Sequence, residues 1–308
     1  MLAYKFRLYP NKEEEKRLLS ALEVCRKTYN HLLEEYNKGE HDRFKLQALL
    51  HIWKEEDEEL RSVYSKTLQY EVHRLFYNQK GLSEKEKRGR KVGKLRYKSP
   101  QRFRSFTYNQ FGFELRSGGG KWGTLHLSKI GDINIRLHRE VIGDIKGVTI
   151  RHTPSEEWYA IFWVDDGKRK NKPTYIEKVI GIDLGLEHYI IDSDGLMTEN
   201  PRNLKRELKM LRRDQRRLSG KKKGSKNYEK QRIKVAHDYE KIENQRNDFL
   251  HKLSRYYVDN YDLIVAEKLD IKEMIENGRL ARSINDAAWS TFNQYLAYKA
   301  ESAGKLFV

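Results

Sequence analysis

The stretch Val179-Ile180-Gly181-Ile182-Asp183-Leu184-Gly185-Leu186 decides how the rest of this chain is read. It is a short apolar run with one acid in its middle and a glycine on each side of that acid. Alternate side chains of a strand share a face. Ile180, Ile182 and Leu184 therefore point one way, and Gly181, Asp183 and Gly185 the other. The second face is bare except for one carboxylate, so a metal or a nucleic acid could come close to the backbone there. Residues 188–191 are apolar enough for a second strand, and Asp192-Ser193-Asp194-Gly195 reads as its turn. Taken alone, the stretch reads equally well as a strand whose Asp starts a turn, so the flanking sequence has to decide.

Downstream, a third short strand leads into a helical hairpin. Leu204, Leu208, Leu211 and Leu218 share one face of its first helix, and residues 201–223 hold eleven Lys or Arg against two acids. The face opposite the leucines is therefore strongly basic. Residues 220–224, GKKKG, form the turn, and a second helix over about 226–258 places Tyr239, Ile242, Phe249, Leu253 and Tyr256 inward. A coiled-coil dimer through these helices is weakened by Gln215 and Arg246, which interrupt the stripes; a homodimer by another route stays open. Leu263-Ile264-Val265-Ala266-Glu267 then reads as a fully buried, central, parallel strand ending on an acid. Asp183 and Glu267 thus lie on two strands, Glu267 at the end of its own, and carboxylates on neighbouring strands are the oxygen ligands that hard cations such as Mg²⁺ require. For Glu267 the plainer alternative is a surface carboxylate paired with Lys268.

Upstream, AYKFRLY (3–9) alternates as a strand closed by Pro10, and Asn11 with Glu14 makes a capping box for a helix. That helix carries Leu18, Leu22, Cys25, Tyr29, Leu32 and Tyr36 on one face, which makes Cys25 a buried structural thiol. Residues 43–54 and 60–79 read as two more helices. Residues 85–104 hold ten Lys or Arg against one acid, and Tyr97, Phe103, Phe106, Tyr108, Phe111 and Phe113 follow among and after them. Cations neutralise phosphates and aromatic faces stack on unpaired bases. The candidate nucleic-acid contacts are Arg88, Arg90, Lys91, Lys94, Arg96, Tyr97, Lys98, Arg102 and Arg104 here, with Arg212, Arg213, Arg216, Arg217, Lys221, Lys222 and Lys223 in the hairpin. Between 103 and 165 the segments FRSFTY, TLHLS, INIRLH, GVTIRH and WYAIFWVD read as strands of a small barrel or sandwich that the N-terminal strand completes. Residues 166–173, DGKRKNKP, are the clearest linker. Gly118-Gly119-Gly120 is a turn and not a phosphate loop, because no Gly-Lys-Ser/Thr follows.

Composition agrees with a polyanion partner. The net charge is +17, the pI is about 9.6, charged residues make up 35% and hydrophobic residues 38%. No apolar run approaches the ~18 residues of a spanning helix, and MLAYKFRLYP lacks the apolar core of a signal peptide. A single cysteine excludes an internal disulfide and a Cys-rich zinc site within these residues, and points to the cytoplasm. The ten histidines show no paired metal-ligand spacing.

With those residues in view, the chain resembles TnpB, the protein of small insertion sequences once called OrfB transposase, a family similar to the compact type V CRISPR effectors. The resemblance runs in order through YKFRLYPNKEEE, GKLRYKSPQRFRSFTY, KIGDINIRLHREVIG, GIDLGL, LSGKKKGSKNYEKQR, LSRYYVDNYDLIVAEKLDIKEM and NQYLAYKAESAGK, which span nearly the whole chain. It implies an α+β multidomain fold. An OB-like, wedge-type β-barrel would occupy 1–10 and 100–170, a helical recognition insertion 11–99, and a RuvC (ribonuclease-H-like) α/β domain 174–308. It also implies RNA-guided, two-metal hydrolysis of double-stranded DNA with Mg²⁺ or Mn²⁺, with Asp183 matching the first RuvC carboxylate and Glu267 the second. The family continues with a four-cysteine zinc ribbon and a third catalytic Asp, which are absent from these 308 residues; Asp270 and Asp286 do not match that position. On that basis the expected cleavage is impaired, and a cleavage-dead RNA-guided DNA-binding protein, a repressor or a mobile-element accessory, is the alternative. A strand transferase has no tyrosine or serine nucleophile motif to support it. Leu95 stands where relatives have Pro, which should alter a loop and not the chemistry.

Overall fold

The computed structural model describes residues 1–308 apart from 168–174, 268, 277 and 279. It divides into two compact units, Met1–Gly167 and Lys168–Val308. The linker read over 166–173 lies outside the described residues except for Asp166 and Gly167, and Lys268 lies outside them too.

In the first unit, strand β1 (Leu2–Tyr9) is followed by helices α1 (Lys12–Asn37), α2 (Arg43–Glu56), α3 (Glu58–Arg61) and α4 (Ser65–Lys87). Strands β2 (Ser105–Asn109), β3 (Phe113–Ser117), β4 (Trp122–Leu127), β5 (Gly131–Arg136), β6 (Asp144–His152) and β7 (Trp158–Asp165) follow. The strands form one seven-stranded sheet in the order β2-β6-β7-β1-β5-β4-β3. β1 sits near its middle because Tyr4, Phe6 and Leu8 alternate inward, and its antiparallel register with β7 runs from Leu2↔Val164 to Leu8↔Trp158. The sheet curls: the Tyr108 hydroxyl of edge strand β2 donates to the carbonyl of Ser128, beyond β4, at 2.8 Å. Among the described residues no backbone ladder joins β2 to β3, so the curled sheet stays open where a barrel would close.

Pro10 ends β1 and Asn11 starts α1. The Asn11 side chain accepts from the Glu14 N–H at 3.0 Å while the Glu14 carboxylate accepts from the Asn11 N–H at 2.9 Å, the reciprocal box that satisfies two helix-end donors. Leu18, Leu22, Cys25, Tyr29 and Leu32 are buried, and burial pushes the Cys25 thiol well up from its ordinary value. The inward face of α4 is Leu68, Val72 and Leu75. Helices and sheet share one hydrophobic core. α4 runs on to Lys87, past the helix end at 79 read from the sequence, and residues 88–104 carry no helix or strand.

Three of the aromatics read as base-stacking platforms belong to that core: Phe103, Phe106 and Tyr108 are 3%, 0% and 1% exposed. Helices packed on β2 cover them, so they cannot meet a base. Phe113 is half-buried against the same core and Phe111 is exposed. Strand β3, which carries Phe113, is not among the strands expected from the sequence.

The second unit contains β8 (Val179–Leu184), β9 (His188–Asp192), β10 (Met197–Glu199), α5 (Asn203–Ser219), α6 (Lys226–Asn260), β11 (Leu263–Ala266), α7 (Ile271–Glu276), α8 (Ala281–Ala287), α9 (Trp289–Ser302) and β12 (Leu306–Phe307). Its sheet has the order β10-β9-β8-β11-β12. β8, β9 and β10 form an antiparallel meander, while β11 runs parallel to β8 and to β12. One face is buried: Ile180, Ile182, Leu184, Tyr189, Ile190 and Ile264 pack with Leu250, Tyr257 and Val258 of α6 and Trp289, Phe292 and Leu296 of α9. The other face is open. Val265 is 40% exposed, so β11 is central and parallel but not buried on both sides as its apolar run had implied.

The inward stripe of α6 is Val235, Ile242, Leu250, Tyr257 and Val258. Tyr239 and Tyr256, read as inward, are exposed at 48% and 43%. Adjacent positions on a helix are rotated by about 100°, and of Tyr256 and Tyr257 it is Tyr257 that faces the core. Its hydroxyl donates to buried Asp192 at 3.0 Å, fixing the β9–β10 turn on α6.

Candidate functional site

β8 places Asp183 on the open face of the sheet, because its neighbours Ile182 and Leu184 take the buried one. β11 lies beside it in parallel register, Ile264 against Ile180 and Ala266 against Ile182. The ladder ends there; continued one residue past the end of β11, the same register would bring Glu267 beside Asp183. Glu267 alternates with exposed Val265, so both acids belong to the open face, and both are exposed. Strands in a sheet lie about 4.8 Å apart. Among the described residues neither carboxylate has an ion-pair or hydrogen-bond partner. Two neighbouring negative charges with no cation between them among the described residues repel each other and favour an added cation, so the donor set fits a divalent metal. Gly181 on the same face leaves the approach clear, since a Cβ there would meet only the Ser193 side chain, at 3.9 Å. Gly185 has a different reason: a Cβ would stand 2.7 Å from the His188 carbonyl, so the tight turn to β9 requires its absence.

The loop and hairpin beyond these strands are held by Asp286, an acid with no role assigned from the sequence. Arg202, at the N-cap of α5, has left-handed backbone (φ 47°) and gives no side-chain cap. Asp286 of α8 supplies one from 82 residues away: it accepts from the Leu204 N–H at 2.9 Å and pairs with Arg246 of α6 at 3.0 Å. Asp286 is 9% and Arg246 24% exposed at the side chain. Losing the cap costs about 1 kcal/mol, and stranding a partly buried guanidinium adds about 1–2 kcal/mol. Asp286→Ala is therefore expected to lower unfolding stability by about 2–3 kcal/mol in urea titration. Asp286→Asn, which keeps an acceptor, should lose clearly less; equal losses would refute the capping role.

The hairpin's basic face is real. Arg212, Arg213, Arg216 and Arg217 are exposed, as are Lys222 and Lys223, with Lys221 half-buried. Asp214, an acid in their midst, is turned inward and fully buried. Burial alone would raise its pKa, but Lys234, Arg213 and Arg217 around it hold it below the ordinary value. Asp238, beside it, is shifted upward by burial and by Asp214. With Asp214 withdrawn, Arg212 and Arg216 have no ion-pair partner among the described residues.

In the first unit, Arg88, Arg90, Lys91, Lys94, Arg96, Tyr97 and Arg102 are exposed along 88–102. Arg104 instead serves the fold. Its guanidinium donates to the carbonyls of Gln101 and Thr153 at 3.0 and 3.3 Å, tying the segment to the sheet. Lys98 is the main anchor. Its N–H donates to Asn30 at 2.7 Å, and its carbonyl accepts from Asn30 and Arg26 at 3.0 and 2.9 Å. Arg26 is itself oriented by two bonds to Glu23, and the Lys98 ammonium lies 5.5 Å from the Tyr29 ring centre. Leu95 packs on the core. Neither Asn30 nor Arg26 carries a local signal in the sequence, because their partner is 68 or more residues away.

The chain is similar to known proteins in sequence and in fold. Residues 162–278 match the family described as "Probable transposase", and residues 1–39, which here form β1 and α1, match one described as "Helix-turn-helix domain". A protein of Streptomyces pristinaespiralis named "Putative RNA-guided DNA endonuclease" is 31% identical over 99% of this chain and 76% of its own length. InsQ of Escherichia coli (strain K12), whose name carries the same description, is 28% identical over 96% of this chain and 77% of its own. Among solved structures, one titled as a Cas12f1–sgRNA–target DNA complex superposes with a TM-score of 0.57 at 14% identity, covering 97% of this chain and 73% of the other. The mixed α/β fold with its curled sheet is thus similar to that of this complex's protein. No described helix is long and apolar enough to cross a membrane.

Proposed function

The chain belongs to the TnpB (OrfB-type) family, whose curated members carry the name RNA-guided DNA endonuclease, and from that premise we propose that it binds a guide RNA and hydrolyses target double-stranded DNA at Asp183 and Glu267. The observation that carries the reading is the parallel register of β11 on β8, which ends at Ala266↔Ile182, one residue before two exposed carboxylates, Asp183 and Glu267, that have no partner among the described residues. In this reading the second unit is a RuvC, ribonuclease-H-like domain, supported by the antiparallel meander followed by two parallel strands. The curled sheet of the first unit is a wedge domain and α1–α4 its recognition insertion.

Asp183 and Glu267 would hold Mg²⁺ or Mn²⁺, which when bound supplies an activated water and charge stabilisation for phosphodiester hydrolysis. The chain's own residues do the rest. The open sheet face leaves space for a strand of DNA over the carboxylates. The arginines of α5 and the cations of 88–102 neutralise phosphates, so binding falls steeply with salt. The +17 charge speeds encounter with any polynucleotide.

The test is to express the chain from its native locus, sequence the RNA that copurifies, and challenge the complex with a matching duplex. A single RNA class, with cleavage that requires Mg²⁺ and stops with chelator, is the expected result. Bound RNA with no cutting would favour the RNA-guided binding protein that does not cleave. No bound RNA and no salt-sensitive DNA binding would remove both readings.

A further inference from the structure

A cavity of about 400 Å³ opens between the C-terminal half of α4 and residues 93–98. That lies within the roughly 300–1,000 Å³ of typical small-ligand sites. Two tyrosines line it: Tyr77 from the helix, 64% exposed, and Tyr97 from the segment, 57% exposed. Lys94, Arg96 and Arg102 stand around them, and no carboxylate is among the described residues that line it.

Gly81 makes the cavity more than a crevice. It lies inside α4, where glycine costs about 0.5–1 kcal/mol relative to alanine. Its backbone is ordinary helix, and a Cβ built on it would meet nothing within 4 Å. Neither a turn nor close packing calls for glycine there; its effect is to keep the wall of the cavity clear. The opposite wall is preset, because the bonds of Lys98 to Asn30 and Arg26 and the packing of Leu95 fix the segment on both sides of Tyr97.

We propose that this cavity receives one unpaired nucleotide, its base against the tyrosine rings and its flanking phosphates on Lys94, Arg96 and Arg102. Base–aromatic stacking needs a free base face, which a continuous duplex does not offer, so the cavity selects a single strand, loop or bulge. The proposal rests on the reading of this chain as a guide-RNA-binding nuclease and deepens it: the basic segment grips a polynucleotide at an unpaired position.

The experiment uses the full chain with 12-nucleotide RNA and DNA strands carrying a central 2-aminopurine, and the same strands as blunt duplexes. Affinity is read by anisotropy, stacking by 2-aminopurine quenching, and folding by thermal melting. Gly81→Leu, which fills the cavity, is expected to melt no lower than the parent. It should lose single-strand affinity about 10-fold, in line with a stack of about 1–3 kcal/mol, and lose the quenching, while duplex affinity stays unchanged. Tyr97→Leu should lose the quenching and Tyr97→Phe keep it. The RNA and DNA arms identify which strand supplies the nucleotide, and these results on either arm support the proposal. If the parent binds strands and duplexes but Gly81→Leu and Tyr97→Leu bind and quench like it, the cavity proposal alone is overturned. If the parent binds neither, the nuclease reading falls and this proposal with it.

Discussion

Asp183→Asn is expected to lower metal-dependent cleavage by at least about 1,000-fold, roughly 4 kcal/mol of transition-state stabilisation, while the amount of copurifying RNA stays within twofold of the parent. The substitution keeps shape and one oxygen but deletes the charge that a hard cation needs. Glu267→Gln should do the same. On the proposal that the two residues serve one metal site, the double variant should be scarcely worse than either single, the non-additivity expected of groups that work as a unit. A second readout does not depend on turnover. Mn²⁺ binds only the folded site, so it should raise the parent's melting temperature in a concentration-dependent way. That rise should vanish in Asp183→Asn and in Glu267→Gln. Cleavage by Asp183→Asn within threefold of the parent, or a Mn²⁺ shift that survives in it, would exclude Asp183 from the metal site.

The pairing of Asp183 with Glu267 is legible in part. The period-2 pattern around Asp183 assigns its face, and the apolar run before Glu267 reads as a strand. The register of the two strands joins residues 84 apart, as in Ala266↔Ile182, and follows only from the order of elements. Local signals of short range hold up well. Asn11 with Glu14 closes its box, and Asp192-Ser193-Asp194-Gly195 turns where expected, with Asp192 accepting from the N–H groups of Asp194 and Leu196. Failures come where burial depends on an element far off in sequence. Phe103, Phe106 and Tyr108 follow a basic run and look like stacking platforms, yet helices some 30 to 80 residues earlier cover them. Asp286 reads from the sequence only as a poor match for a third carboxylate. Its cap on α5 has no sequence signature, since a capping acid is ordinarily sought at the N-cap itself and here it comes from another helix.

Glu71→Gln is expected to flatten the pH dependence of stability. Glu71 lies on α4 with 0% exposure, and neither of its oxygens accepts a hydrogen bond. Burial pushes its carboxyl up to about 8; Arg74, 3.2 Å away, opposes this but is committed to the Ser105 carbonyl at 2.8 Å and to the Phe103 ring. The sign follows from proton counts. Between pH 4.5 and about 8 the unfolded chain has lost this proton and the folded chain keeps it, so stability falls as pH rises. The contribution is complete below the unfolded value, is lost through that window, and is flat above it. The span corresponds to something on the order of 3–5 kcal/mol at about 1.4 kcal/mol per pH unit. Glutamine keeps the volume and cannot ionise. In urea titrations Glu71→Gln should match the parent within about 1 kcal/mol at pH 5 and exceed it by about 3 kcal/mol at pH 8.5. Arg74→Met adds a check of the same sign: with the opposing cation gone, the carboxyl is held protonated further, and the decline extends to higher pH. Parallel pH profiles for parent and Glu71→Gln would mean that Glu71 enters the folded core already ionised, with Arg74 as its full counter-charge.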